Sequence, residues 1–263
     1  MPELPEVETV VRSLAPLLIG RRIVEANFSS RFVVRQDFDE LAGRVRGQVV
    51  HSVRRHGKFI LVELTEGTLA IHLGMTGKLL MDARPGDYTR ALFELDRGLL
   101  VYDDVRHLGR IEWDIGLPKR VEKLGPDALA IQPDDFLALL RRRKAQIKPL
   151  LLNQRFLRGM GNIYTDEALF LARIHPKAES TRLRKDRALR LHQSMIDVLT
   201  LAIEHKGSSI SDYVDAEGNR GDFQSRHQVY GRKGQPCPRC GNPIRRIVVA
   251  QRGTHYCARC QRM

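Results

Sequence analysis

Four cysteines occur in the chain, all within its last 27 residues: Cys237-Pro-Arg-Cys240 and, 16 residues on, Cys257-Ala-Arg-Cys260. Two knuckles of this spacing fold as paired turns that bring four thiolates to the corners of a tetrahedron, which suits a closed structural zinc site. A redox dithiol pair or an iron–sulfur site would use the same residue type, but neither needs two matched knuckles in so basic a module. Arg239, Arg245, Arg246, Arg252, Arg259 and Arg262 surround the cysteines. The metal would then hold a hairpin that offers arginine to phosphate. A zinc ribbon by itself names no reaction.

The other end of the chain can do chemistry of a different kind. It reads Met1-Pro2-Glu3-Leu4-Pro5-Glu6. A small residue after Met1 permits removal of the methionine, leaving Pro2 as a secondary amine beside two carboxyl groups. An α-amino group titrates near ~8, well below a lysine, so part of it is unprotonated at neutral pH. A secondary amine condenses with an aldehydic sugar carbon to an iminium ion. The plain alternative is a proline left by processing, with Glu3, Glu6 and Glu8 serving a helix N-terminus.

The elements that must carry these groups show in the periodicity. Val7, Val10, Val11, Leu14, Leu17 and Leu18 recur at steps of three and four, one face of a helix over Glu6–Ile19 that Gly20 ends and Pro16 could kink. Short β-branched and aromatic runs follow, at 48–53, 58–64, 68–73, 91–95 and 99–102, and predict antiparallel strands of a sandwich or barrel. After the turn Leu124-Gly-Pro-Asp127 the spacing becomes helical, over 134–143, 162–172 and 183–205. Residues 207–221 are polar and glycine-rich and predict a mobile loop.

Length and charge narrow the class. The 263 residues suffice for two domains. The net charge is +13, and it is unevenly placed: residues 1–130 hold 19 Lys and Arg against 19 Asp and Glu, residues 131–263 hold 25 against 12. A polyanion is the expected partner, nucleic acid first and a membrane surface second. No run of about 18 apolar residues exists to span a bilayer, and the acidic start is unlike a signal peptide. A soluble, intracellular protein is expected.

Four stretches in order resemble the bacterial formamidopyrimidine-DNA glycosylase family: the start MPELPEVE, His72-Leu-Gly-Met75-Thr-Gly77, Gly159-Met-Gly-Asn162-Ile-Tyr-Thr-Asp-Glu167, and Gly253-Thr-His-Tyr-Cys257. The resemblance implies an α+β fold. A two-layered antiparallel β-sandwich with a flanking helix (1–130) would precede a helix-two-turn-helix domain with a lid loop (131–228) and a zinc-ribbon finger (229–263). It implies one structural Zn2+, and duplex DNA with oxidised bases as partner of a monomer in the bacterial cytoplasm.

The same resemblance implies roles. Pro2 would attack the sugar C1′ and Glu3 would supply the proton, with Glu6 holding sugar or base. Lys58 would contact phosphate and move a proton in β-elimination, and Arg252 would grip phosphate and assist δ-elimination. Asn162 would bind a phosphate oxygen at a helix start. His72 and Lys148 resemble further phosphate-side positions, and Tyr88 and Arg143 align with DNA contacts. An extruded nucleotide leaves a gap, and Met75 and Arg106 match the residues that fill it. The third such position is usually phenylalanine, whereas Asp104-Val-Arg-His-Leu108-Gly109 offers leucine. Gly207–Val214 resembles the lid over an oxidised purine. Two rivals remain open: the endonuclease VIII type, which favours oxidised pyrimidines, and a zinc-ribbon protein that only binds DNA.

Overall fold

The computed structural model describes residues 2–210 and 212–263. They divide into two compact units: residues up to 123 together with 205–224, and residues 124–204 together with 225–263.

The first unit begins with α1 (Leu4–Leu18), whose apolar stripe is buried as its spacing requires. Pro16 sits in the last turn without stopping the helix, and Gly20 makes the reversal at φ 83°. Then come β1 (Ile23–Phe28), α2 (Phe38–Val45), β2 (Val50–His56), β3 (Phe59–Leu64), β4 (Thr68–His72), β5 (Lys78–Met81), β6 (Thr89–Leu95), β7 (Leu99–Asp103), β8 (Arg110–Asp114) and the short α3 (Lys119–Glu122). The strands form two four-stranded antiparallel sheets, ordered β1-β6-β7-β5 and β2-β3-β4-β8. One core joins them: Ala26, Leu79, Phe93 and Tyr102 from the first sheet meet Ile60, Val62, Ile71 and Ile111 from the second, with Val7, Val10 and Leu14 of α1. This is the expected two-layered sandwich with its helix. The sequence reading lacked β1 and β8, whose apolar residues are interrupted by charged or polar ones, and β5, which is only four residues long.

The segment 205–224, which contains the 207–221 stretch expected to be a mobile loop, folds back into this unit. Tyr213 enters the core and donates its hydroxyl to the Glu6 carbonyl at 3.2 Å. Ala216 donates its amide to Ser13 Oγ at 3.0 Å, and its carbonyl accepts from Met81 N at 2.9 Å. Ser211, within the lid segment, lies outside the described residues, as does Met1.

The second unit holds α4 (Pro133–Arg141), α5 (Ile147–Leu152), α6 (Asn162–Leu171), α7 (Lys185–Glu204) and the hairpin β9 (Arg245–Val249) and β10 (Arg252–Tyr256). Helix α6 packs on α5, α7 and β10 and is buried along almost its whole length, including Asp166 and Glu167. Buried carboxylates require partners. Glu167 accepts the amides of Gln228, Val229 and Tyr230 at 2.9, 3.0 and 2.8 Å, which fastens that strand of chain to the helix. No described helix is long and apolar enough to cross a membrane.

Candidate active site and nucleic-acid interface

In the first unit the chemistry gathers where α1 begins. Pro2, Glu3 and Glu6 are all buried. Glu3 is the residue before the first helical turn, and its amide donates to Glu6 Oε2 at 2.8 Å. The other oxygen of Glu6 accepts the amide of Ser208 at 2.7 Å. Gly207 precedes that amide at φ 76°, and a Cβ there would stand 2.7 Å from Glu6 Oε1, so glycine is required both by conformation and by space. The carboxylate of Glu6 therefore ties the start of the lid segment to the start of α1.

Helix α1 packs on β2, and the β2–β3 turn, with Gly57 at φ 64°, carries the buried Lys58. His72 ends β4, paired across the ladder with Phe59 on one side and Arg110 on the other. Burial, then the Lys58 charge, holds His72 down at about 4, so it is neutral at neutral pH. Its Nδ1 accepts the amide of Gly74 at 3.0 Å, which leaves Nε2–H as the donor. Nη1 of Arg110 is buried with no hydrogen-bond partner among the described residues. That unmatched donor beside His72 was missed in the sequence, where Arg110 is one arginine among many.

Met75, Tyr88, Arg106 and Leu108 lie on three loops, all exposed. Asp104, fully buried, fastens two of them: Oδ1 accepts from Thr76 Oγ1 at 2.6 Å and Arg106 N at 3.2 Å, and Oδ2 accepts from Gly109 N at 2.7 Å. Its own amide donates to the Tyr88 carbonyl at 2.9 Å, which brings in the third. Gly74 lets the two wedge loops touch, since a Cβ there would meet the Leu108 backbone at 2.5 Å. Large exposed apolar side chains on loops so firmly held are suited to being pushed between bases. Nothing in the residue type of Asp104 announced this task.

In the second unit the candidate anion site lies at the N-terminus of α6. Asn162 Nδ2 donates to the Gly253 carbonyl at 3.0 Å while its Oδ1 is buried without a partner. Lys148 is wholly buried. Its Nζ donates to Asp166 Oδ1 at 2.6 Å and reaches the same Gly253 carbonyl at 3.4 Å. Asp166 Oδ2 accepts the amide of His255 at 2.8 Å. Asn162, Lys148 and Asp166 thus seat the hairpin on the helix, and Arg252 stands exposed at the start of β10. Gly253 follows Arg252, yet it does not make the turn of the hairpin. Instead the turn is Ala250 and Gln251, at φ 49° and 58°, while Gly253 lies within β10 opposite Val248. Two left-handed residues match the twist of a two-residue hairpin, even without glycine. Arg143 is exposed just past α4.

The cysteines converge as their spacing predicts. All four Sγ atoms lie within 4.8 Å of one another, with Cys240–Cys257 at 3.5 Å and Cys237–Cys260 at 3.9 Å. Each knuckle is closed by a local bond, Cys237 N to the Asn242 carbonyl and Cys257 N to Gln261 Oε1, both 2.8 Å. The Asn242 amide draws Cys240 down to about 7, which favours its thiolate. Four thiols and no other donor fit one tetrahedral zinc ion with no open position, a structural site.

Three family models match the chain: the formamidopyrimidine-DNA glycosylase N-terminal domain over residues 1–111, the H2TH domain of the same proteins over 124–214, and a zinc finger found in FPG and IleRS over 234–262. The formamidopyrimidine-DNA glycosylase of Solibacter usitatus is 54% identical over 264 residues, covering 100% of each chain. That of Desulforamulus reducens is 41% identical, covering 100% of this chain and 99% of the other. Among solved structures, the MutM (FPG) protein of Thermus thermophilus superposes with a TM-score of 0.90 at 39% identity, covering 99% and 98% of the two chains. The Lactococcus lactis Fpg in complex with abasic-site DNA gives 0.90 at 36%, covering 100% of both.

Proposed function

Since the chain belongs to the formamidopyrimidine-DNA glycosylase family, we propose that it removes 8-oxoguanine and ring-opened formamidopyrimidines from duplex DNA and then cuts the strand by β,δ-elimination. It is a DNA glycosylase of base excision repair, acting as a monomer in the bacterial cytoplasm.

The nitrogen of Pro2, once Met1 is gone, attacks C1′ of the sugar. The bond from C1′ to the base breaks, its electron pair leaves with the base, and Glu3 delivers a proton as the ring opens. The resulting iminium acidifies C2′. Loss of that proton expels the 3′ phosphate, and a second elimination expels the 5′ phosphate. Lys58 serves the first elimination and Arg252 the second. Neutral His72 and Arg110 offer N–H groups to phosphate without spending a titrating charge. Asn162 and Arg143 give the second unit's grip, and Lys148 acts through the Gly253 carbonyl. Met75, Arg106 and Leu108 fill the gap left by the extruded nucleotide, with Tyr88 at its rim, and Glu6 orders the lid above it. Zinc supplies no step; it holds the hairpin that presents Arg252.

The observation that carries this reading is the burial together of Pro2, Glu3 and Glu6 at the head of α1, in a chain similar to these glycosylases from end to end. A protein that only bound DNA would have no use for it. The test is borohydride trapping on a duplex with 8-oxoguanine opposite cytosine. A covalent adduct is expected, lost in Pro2→Gly and in protein that retains Met1. No adduct on this duplex, with an adduct on one carrying an oxidised pyrimidine, would move the enzyme to the endonuclease VIII type; none on either leaves a DNA-binding protein.

A further inference from the structure

At the end of α6 remote from Asn162, six arginines line an open basin of about 860 Å³: Arg173, Arg187, Arg190, Arg239, Arg259 and Arg262. Among the described residues no Asp or Glu lines it. Several of the arginines are held from behind. Arg239 donates to the carbonyls of Phe170 and Leu171 at 2.7 and 3.3 Å, Arg190 to that of Ala172 at 3.0 Å, and Arg187 to those of Arg262 and Met263, both at 2.8 Å. Capping the negative end of α6 explains why Arg190 and Arg239 sit there. It consumes one or two of the roughly five N–H donors on each guanidinium and leaves the rest for a ligand.

Cys240 and Cys260 also line the basin, and a zinc tetrathiolate carries about two net negative charges, so part of the positive charge is answered by the finger itself. The greater part is not. Arg187 and Met263 also border an adjoining hollow of about 660 Å³, lined further by Lys144, Lys177 and Arg182 and, among the described residues, by a single acidic side chain, Glu179. That carboxylate is already paired with Arg182 at 3.4 Å. The result is an elongated positive track, which matches a strand of phosphates better than one small anion. An acidic peptide would look for apolar anchors, and besides the two cysteines the basin offers only Met263.

Two internal rulers separate this track from the anion site already described. The 10 residues of α6 put its ends about 15 Å apart. The five residues of β10 put Arg252 about 17 Å from the knuckle at Cys257. We propose that the basin binds the phosphodiester backbone of a second DNA segment while the first lies at the lesion-processing site. This rests on the proposed function only for what fills the first site. Holding two segments at once lets the enzyme pass from one to the other without release, which would serve its search for rare lesions.

The test titrates the full-length, zinc-loaded protein with a short undamaged duplex and reads stoichiometry by sedimentation. The variant combines Arg173→Gln, Arg259→Gln and Arg262→Gln, three exposed arginines that cap none of these carbonyls. Two duplexes per chain are expected for the parent protein at low salt and one for the variant. Cleavage of an 8-oxoguanine duplex should be unchanged in the variant. If the variant loses zinc, Arg190→Gln, away from the cysteines, reads the same site. One duplex per chain for both proteins, or two for both, overturns the proposal. So does a second site that takes polyglutamate in preference to DNA, which would indicate a protein partner. A chain that cleaves no damaged DNA yet binds two duplexes would overturn the proposed function and leave the basin standing.

Discussion

Glu3 and Glu6 are three residues apart and equally buried, yet their surroundings divide the work. Both oxygens of Glu6 already accept backbone amides, from Glu3 and Ser208, so it is an anchor and a poor proton donor. In the proposed function Glu3 is the acid, and its carboxylate also accepts the Glu6 amide as the other half of a capping box. Glu3→Gln should slow base release by about 10²–10⁴-fold yet still give a borohydride adduct on a preformed abasic site, because Pro2 needs no acid to reach an aldehyde. Loss of both in single-turnover assays would instead mean that Glu3 holds Pro2 in place. The buried histidines set a pH limit. Burial lowers His72 and His227 to about 4 each, so the folded chain resists protons that the unfolded chain takes up near ~6.5. The stability they lend is complete above that value and drains away as the pH falls toward 4. The urea midpoint should drop between pH 7 and pH 5, and drop less in His227→Phe.

At the scale of elements, the wedge loops and the lid are ordered by single carboxylates. Asp104 satisfies three donors from two loops, and Asp104→Ala removes the acceptor of Thr76 Oγ1 and Gly109 N and leaves Arg106 N with only its 3.3 Å bond to Thr76 Oγ1. The expected cost is about 1–3 kcal/mol, read as a lower Tm. Excision from fully paired duplex should fall more than cleavage at an abasic site already unpaired. A mutant with lower Tm but the same ratio of the two activities would show that Asp104 serves the fold alone. For the lid, Gly207→Ala places a Cβ against Glu6 and forces a left-handed alanine. Hydrogen exchange at the described amides of 208–213 should quicken while that of α1 stays protected. Equal protection in both proteins would mean that the Glu6–Ser208 bond is not what holds the segment down.

Taken whole, the molecule separates its chemistry from its charge. The first unit carries the proposed amine and acid, and the second holds the finger and the whole excess of positive charge. Removing zinc with a chelator should therefore unfold the finger and weaken DNA binding by at least about tenfold, with the melting of the sandwich unchanged. The strand-specific NMR signals of β9 and β10 would report the first effect and fluorescence anisotropy the second. Loss of the sandwich transition along with the finger would show that the metal supports more than the hairpin.

The zinc ligands, the helix stripe of α1 and five of the eight sandwich strands were legible in the sequence, because each depends on spacing within a short stretch: two knuckles, a period near 3.6, a period of 2. The family was legible too, through motifs whose order resembles it. Contacts that join distant positions could not be read this way. The return of 205–224 to the first unit depends on Glu6 meeting Ser208 and on Tyr213 finding a hole in the sandwich core. That Lys148 is an inward strut follows only from Asp166 lying across from it. The arginine basin gathers residues from the end of α6, from α7 and from the finger, scattered along the chain between Arg173 and Met263. Local periodicity fixes which face a residue takes on its own element; which other face it meets is decided by long-range packing, and there the tertiary structure alone had the answer.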